Sequence, residues 1–416
     1  MRSNALSIGL KTTLAIFTLA VLTSTMFVTE ASAGTLKVIH NFNGTDGIWP
    51  AGVIFDGSGN LYGIAIEGGS GGLGLAFELT PTASGHWNDK TLVEFNNTNG
   101  SYPNPMVFDS AGNLYGTVEL IGPHGTGAVF ELSPTTDGHW GEKILYAMKK
   151  SQGLYPEASV TFDASGNIFS TAFGGGAYDK GSVFELSPTT PGHWRETTVQ
   201  SANGTDGQTI QCNLVFDTAG NLYGTTYQGG ANNKGTVWEL TPQPDGTWTE
   251  TILYNFTGQA DGGFPPGGGV IFDAAGNLYG TTSKGGASGK GTVFELSHNG
   301  GGTWSETVLY AFKGGTDGSV PSFSTLTFDK VGNLYGETAA GGVGGMGSCA
   351  TAGCGLVFEL SPTGGGSWTE TVLHRFHGTD GQGPWQGLVL DTAGNIYGTT
   401  QYGGAHDYGT VFEIKP

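Results

Sequence analysis

Seven times the sequence returns to the pattern D-x-x-G-N-[LI]-[YF], at Asp56, Asp109, Asp163, Asp217, Asp273, Asp329 and Asp391. Successive copies lie 53, 54, 54, 56, 56 and 62 residues apart. A period of this size marks a supersecondary unit that cannot bury its own apolar faces and must stack on its neighbours. Each unit holds four short runs rich in β-branched and aromatic residues, typified by LVFD, GNLYGTT, GTVFELSP and WTETILYNF, with Gly, Pro, Asn or Asp between them. No stretch has the spacing of an amphipathic helix. Four strands per repeat predict an all-β fold, a seven-bladed β-propeller with four antiparallel strands in each blade.

The two ends of the chain support a closed ring. The seventh unit stops at GTVFEIKP, where earlier units run on into a fourth strand. The segment TLKVIHNF, Thr35 to Phe42, aligns without a gap on TETVLHRF, Thr369 to Phe376. The N-terminal strand is therefore expected to complete the last blade. Closure of this kind leaves no long unpaired edge to aggregate.

Ahead of that strand, residues 1–33 read as a secretory signal, with Arg2 and Lys11 before an apolar run and Ala31-Ser32-Ala33 as the cleavage site. Residues 34–416 are expected to be a single propeller domain, secreted or periplasmic, monomeric and without membrane insertion. A formal net charge of −19 repels phosphate backbones and excludes nucleic acid as a natural partner. Gly is 76 of 416 residues, which in a periodic sequence means turns rather than disorder. Cys349 and Cys354 stand in one loop, GSCATAGCG, and read as a local disulfide in an exported chain. Cys212 reads as a buried apolar residue.

Most acids belong to the repeat. The marker aspartates fit tight turns, the Glu of each FEL run fits a bond to a neighbouring strand, and the acid two after each outer-strand Trp is expected in solvent. That Trp is expected to pack on the hairpin before it. The loops between units read DGIWP, NGSYP, QGLYP and DGGFP, a polar residue and Gly followed by an aromatic and Pro. One reading is structural, with the aromatic and Pro wedged between blades. The other is a rim of amides, carboxylates and flat rings suited to sugar faces and hydroxyls. On that reading the candidate ligand-binding residues are Trp49, Trp385, Asp46, Tyr102, Tyr155 and Asp380, led by the two tryptophans of units that become neighbours on closure. Lys180, Lys234 and Lys290 recur in the other loop of the same face.

No catalytic residue emerges. There is no G-x-S-x-G elbow and no HExxH-type metal motif, and beyond residue 33 only Arg195 and Arg375 remain, too few for an arginine-clamped sialidase site. The cofactor expectation is none, and no motif supports Ca²⁺. The unit FDxxGNLYGTTxxGGxxxxGTVFELxP resembles the Gloeo/Verruco (GloVer) tandem repeat of exported bacterial proteins. The resemblance implies an extracellular location and a propeller-like fold, and carries no catalytic residue. The leading functional expectation is a secreted binding module for a glycan or an extracellular protein. The alternatives are a lactonase or carbohydrate-cleaving enzyme working at the channel mouth, and a structural component of the envelope or matrix.

Overall fold

The structure is a computed structural model and describes residues 34–121, 125–321, 323, 325–342, 349 and 351–416. The signal sequence read at 1–33 lies outside the described residues. Seven separate antiparallel sheets follow one another along the chain, each ordered one-two-three-four. Blade 1 consists of Ile48–Phe55, Leu61–Glu67, Leu75–Pro81 and Trp87–Glu94. In blades 3 to 6 strand one shrinks to two or three residues, such as Val215–Phe216 and Val270–Phe272, because the chain before it bends into the ring centre. The fold is a seven-bladed β-propeller, as the repeat predicts.

Blade 7 is closed by both ends of the chain. Gln382–Leu390, Ile396–Tyr402 and Thr410–Lys415 are joined by Thr35–Asn41, which pairs antiparallel with Thr410–Lys415. Val38 lies opposite Phe412, and Phe42 is fully buried. The Phe42 amide donates to the Gly409 carbonyl at 3.1 Å, as Phe376 donates to Gly355 at 3.0 Å in blade 6.

Each sheet is covered on both faces, so its middle strands are buried from end to end rather than alternately; LYGTT of blades 4 and 5 is buried at all five positions. The glycine in LYG has a packing reason. It pairs with the aromatic of FEL, and a methyl on Gly224 would lie 2.4 Å from the Trp238 ring. Between blades, strand-one Phe and strand-four Trp of one blade close on the strand-two aromatic of the blade before. Phe108 and Trp140 meet Tyr62 at 5.2 and 5.8 Å; Phe216 and Trp248 meet Phe169 at 5.2 and 5.7 Å. The outer-strand Trp thus packs across the blade boundary, and Trp304 also packs on its own preceding hairpin, 5.1 Å from His298, as its sequence position suggests.

The marker aspartates form turns in every blade. Asp217 Oδ1 accepts the Ala219 and Asn221 amides at 2.8 Å and Oδ2 accepts Asn221 Nδ2 at 2.8 Å. The FEL glutamates face strand two of their own blade: Tyr223 Oη lies 3.0 Å from Glu239 and 3.1 Å from Asp217.

Two outcomes test the closure. Phe42→Ala should cost about 3–5 kcal/mol in a denaturant titration. A chain beginning at residue 43 should leave Thr410–Lys415 as a bare edge, seen as association on size-exclusion chromatography.

Candidate functional site at the interblade face

Each blade connects to the next through a loop whose first polar side chain holds the turn. Asp46 accepts the Asn43 amide at 2.8 Å, Asp206 that of Asn203 at 2.9 Å, Asp261 that of Thr257 at 2.7 Å and Asp380 that of His377 at 2.7 Å. Three residues further on the backbone turns left-handed: Trp49, Tyr102, Tyr155, Thr209, Phe264 and Val320 have φ between 54° and 61°, and Gly383 follows at 61°. Bulky residues rarely adopt this conformation, so the surroundings must impose it.

What imposes it is a joint to the preceding blade. The Trp49 amide donates to Tyr408 O at 3.0 Å, Tyr102 to Leu73 at 3.1 Å, Phe264 to Lys234 at 2.7 Å and Gly383 to Cys354 at 2.8 Å. The acceptor always precedes a left-handed glycine. The next residue, proline in six units, presses on that glycine. A methyl on Gly235 would sit 2.6 Å from Pro265 Cδ and 2.3 Å from Thr226 O. The structural role of the aromatic-Pro pair is therefore real, whatever else its rings do.

A second joint lies further out. In every blade a β-bulge in strand four, such as the one between the Val237 and Trp238 pairings, precedes a residue re-aimed toward the boundary. Tyr254 Oη donates to Asp261 at 3.1 Å, Tyr310 to Asp317, Gln152 Nε2 lies 2.9 Å from Tyr146 Oη, and His374 Nε2 lies 2.9 Å from Asp380. The acid two after the outer-strand Trp of the next blade joins this group. Gln200 donates to Glu250 at 3.1 Å and Asn99 to Glu142. These acids were expected in solvent; most are instead partly buried, because the blade boundary covers them. Burial first, then the charge of Asp206 or Asp261, pushes Glu250 and Glu306 up to about 7. Burial and Asp317 do the same to Glu370. Asp46 and Asp380 move the other way: burial raises them, but bonds from His40 or His374 and from backbone amides outweigh it.

The ring centre is narrow, with largely apolar walls and a few polar side chains. A cavity of about 210 Å³ is lined by Gly52, Pro105, Ser159, Asn213, Thr325 and Gly387, one residue from each of six blades. Asn213 spans it, accepting from Ser159 Oγ at 3.0 Å and donating to Thr325 Oγ1 at 3.1 Å. Glu337, buried on strand two of blade 6, accepts the Gly387 amide at 3.1 Å, so a carboxylate also stands at this centre.

Trp49 and Trp385 have different ring neighbours. Trp49 meets Tyr402 edge-on at 5.7 Å, whereas Trp385 lies flat on Phe323 at 4.4 Å. They are not equivalent either: Trp49 precedes its proline and Trp385 follows one, and the left-handed residue of blade 7 is Gly383. Trp385 packs on the core shared by blades 1 and 2, and its buried indole N–H has no hydrogen-bond partner. Asp46 and Asp380 are occupied in turns. Tyr102 is half-buried, and Tyr155 is exposed. Cys349 and Cys354 are bonded, with Cα atoms 5.0 Å apart, and Cys212 is buried and free.

The structure adds residues that the repeat hid. Phe173 is 39% exposed and its amide donates to Tyr155 O at 3.0 Å, so two exposed aromatic residues are joined through their backbones on blade 3. Beside them Glu157 follows Pro156, and Glu119 stands on blade 2 in the position Phe173 holds on blade 3. Burial raises Glu119 to about 7; burial and the Glu119 charge raise Glu157 to about 8. The available signal was that both acids fall outside the recurring acid positions.

The chain belongs to the Gloeobacter/Verrucomicrobia repeat family, whose model matches residues 23–161 and 137–350. No curated protein matches it significantly. Among solved structures it is similar to the extracellular domain of a putative one-component system of B. thetaiotaomicron. That match has 12% identity and a TM-score of 0.56, over 92% of this chain and 42% of the other. A structure described as the extracellular domain of a putative hybrid two-component system from the same organism gives 11% and 0.57, over 91% and 39%. The chain thus spans about two-fifths of those chains, and the likeness is one of fold. Among the described residues no helix is long and apolar enough to cross a membrane.

The outer joints carry a pH signature. Glu250, Glu306 and Glu370 titrate higher in the folded state than the ordinary 4.5, so folding binds protons between about 4.5 and 7, and the stability this confers at low pH is lost as pH rises through that window. The melting temperature should rise as pH falls from 8 to 5, and Gln at all three positions should flatten the slope. Separately, Gly235→Ala should destabilise by about 2 kcal/mol or more in urea, through φ +90° and the Pro265 contact.

Proposed function

We propose that this protein is an extracellular binding module that takes a carbohydrate on the interblade face, over blades 2 and 3. The observation that carries the reading is the patch of Tyr155 and Phe173 beside Glu119 and Glu157. Aromatic faces stack on the C–H faces of sugars. Carboxyl groups that titrate near neutrality offer both a donor and an acceptor to hydroxyls. The solved extracellular domains of similar fold support the extracellular location; so does the secretory pattern of the first 33 residues. Trp49, held against Tyr402, extends the same face at the boundary of blades 7 and 1.

One observation favours a second reading, hydrolysis of a glycoside. Glu119 and Glu157 are both raised by burial, Glu157 also by the Glu119 charge, and a pair of interacting carboxyl groups is what glycoside hydrolysis uses.

A glycan array on residues 34–416 tests the first reading. Tyr155→Ala with Phe173→Ala should weaken binding at least about tenfold while leaving the melting temperature in place, since both rings are open to solvent. Trp385→Ala should lower the melting temperature, because that ring sits on the core. Unchanged binding in the Tyr155/Phe173 variant would sink the placement. Glu119→Gln with Glu157→Gln separates the readings, losing turnover but keeping sugar binding if the site is hydrolytic.

A further inference from the structure

Two imidazoles and a carboxylate converge at the boundary of blades 6 and 7. His374 comes from the outer strand of blade 6, after its bulge, and His377 and Asp380 from the loop that follows. Asp380 Oδ2 lies 2.9 Å from His374 Nε2 and 3.5 Å from His377 Nδ1, and the three donor atoms all lie within 4.8 Å of one another. An ion bonded to N and O donors at about 2.0–2.2 Å holds neighbouring donors roughly 3.0–3.4 Å apart. The two distances to the carboxylate bracket that range. Both imidazoles therefore already stand at chelating distance from the carboxylate, and the two nitrogens lie within 4.8 Å of each other.

The surroundings fix the donors in place. Asp380 Oδ1 accepts the His377 amide at 2.7 Å, which sets the carboxylate plane and leaves Oδ2 for the imidazoles. The loop is closed by Gly378 N to Gly381 O at 3.0 Å and tied to blade 7 by Gly404 N to Gly378 O at 2.8 Å. His374 is held edge-on against buried Phe376 at 4.9 Å. A site ordered in advance binds without the cost of ordering the chain. His377 keeps a side-chain exposure of 55%, so an ion can arrive from solvent and retain water in its open positions.

The contrast with the other joints shows that this is not the ordinary repeat. The positions equivalent to His374 and His377 hold Tyr254 and Thr257, Tyr310 and Lys313, or Val93 and Asn96. In those blades a phenol simply donates to the loop acid, or an amide does the work. Leu36 stands where the acid of the next outer strand would fall, so here two imidazoles face a single carboxylate. Imidazole with carboxylate selects zinc-like transition metals over Ca²⁺ and Mg²⁺, which want oxygen donors.

We propose that His374, His377 and Asp380 form a binding site for a divalent transition-metal ion of the zinc class, on the rim where the closing blade meets blade 6. The ion ties the outer strand of blade 6 to the loop that leads into blade 7, so it reinforces the boundary at which the ring closes.

The test uses untagged residues 34–416, stripped with a chelator and titrated with Zn²⁺ by calorimetry and with Co²⁺ followed by its visible absorption. One equivalent should bind, with a Co²⁺ spectrum showing nitrogen ligation, and Zn²⁺ should raise the melting temperature. His377→Ala, at a half-exposed position that the fold tolerates, should weaken binding at least about tenfold and abolish the thermal shift. His40→Ala, at the neighbouring cluster of His40, Asp46 and Asp89, should leave this equivalent intact. Absence of binding to the folded wild-type chain overturns the proposal, as does binding that survives His377→Ala or vanishes with His40→Ala.

Discussion

The contact on which the ring depends is the one between a left-handed glycine of one blade and the proline that opens the next. A four-stranded sheet buried on both faces has no stability of its own; its apolar surface is satisfied only by its neighbours. At Gly74, Gly235, Gly291, Gly355 and Gly409 a side chain would strike the facing proline at 2.5–2.7 Å. The residue before that proline is driven to positive φ so that its amide can reach across the boundary. Strain at one residue is offset by a hydrogen bond and by close packing; Ile210 takes the proline's place before blade 4, and Gly383 takes the strained residue's place before blade 7. The aromatic clamps toward the other face, Phe and Trp around Tyr, supply the apolar part of the same interface.

This arrangement explains why the candidate binding residues separate into two kinds. Asp46 and Asp380 hold turns, and the backbones of Trp49 and Tyr102 hold joints, so their recurrence needs no ligand. What the joint leaves free is the side chain of the left-handed residue, which is why Tyr155 stands open while Trp49 leans on Tyr402. A repeat scaffold fixes the backbone and lets each blade vary its rim. The residues with something further to do are those that break the repeat: Glu119 and Glu157 on blades 2 and 3, Trp385 with Phe323 at the ring centre, and His374 with His377 at the closing boundary.

The outer polar joints place a loop acid beside an acid of the next outer strand. Asp261 with Glu306 and Asp317 with Glu370 each bring two carboxyl groups under partial cover, so one of them holds its proton well above the ordinary range. At the boundary of blades 6 and 7 the loop acid Asp380 remains but Leu36 takes the place of the second acid, which removes the like-charge problem, and His374 and His377 stand where Tyr310 and Lys313 stand one blade earlier and offer nitrogen.

The fold was legible in the sequence almost entirely. Strand number follows from the runs between glycines, blade number from the seven marker aspartates, and closure from the match of Thr35–Phe42 to Thr369–Phe376. Each depends on local pattern, repeated until chance is excluded. The site was legible only in part. Trp49 and Trp385 are near in ring order, but the half of the residues that face another blade cannot be found from spacing along one strand. A bulge one residue before Tyr254 or His374 turns the side chain to the boundary, and no residue type announces it. The burial of Glu250 and Glu306, the stack of Trp385 on Phe323, and the meeting of His374 with Asp380 arise from blade-to-blade contact. The sequence by itself determined the blades, their number and how the ring closes, because those rest on local periodicity. Only the tertiary structure decided which side chains face solvent, because that depends on what the neighbouring blade covers.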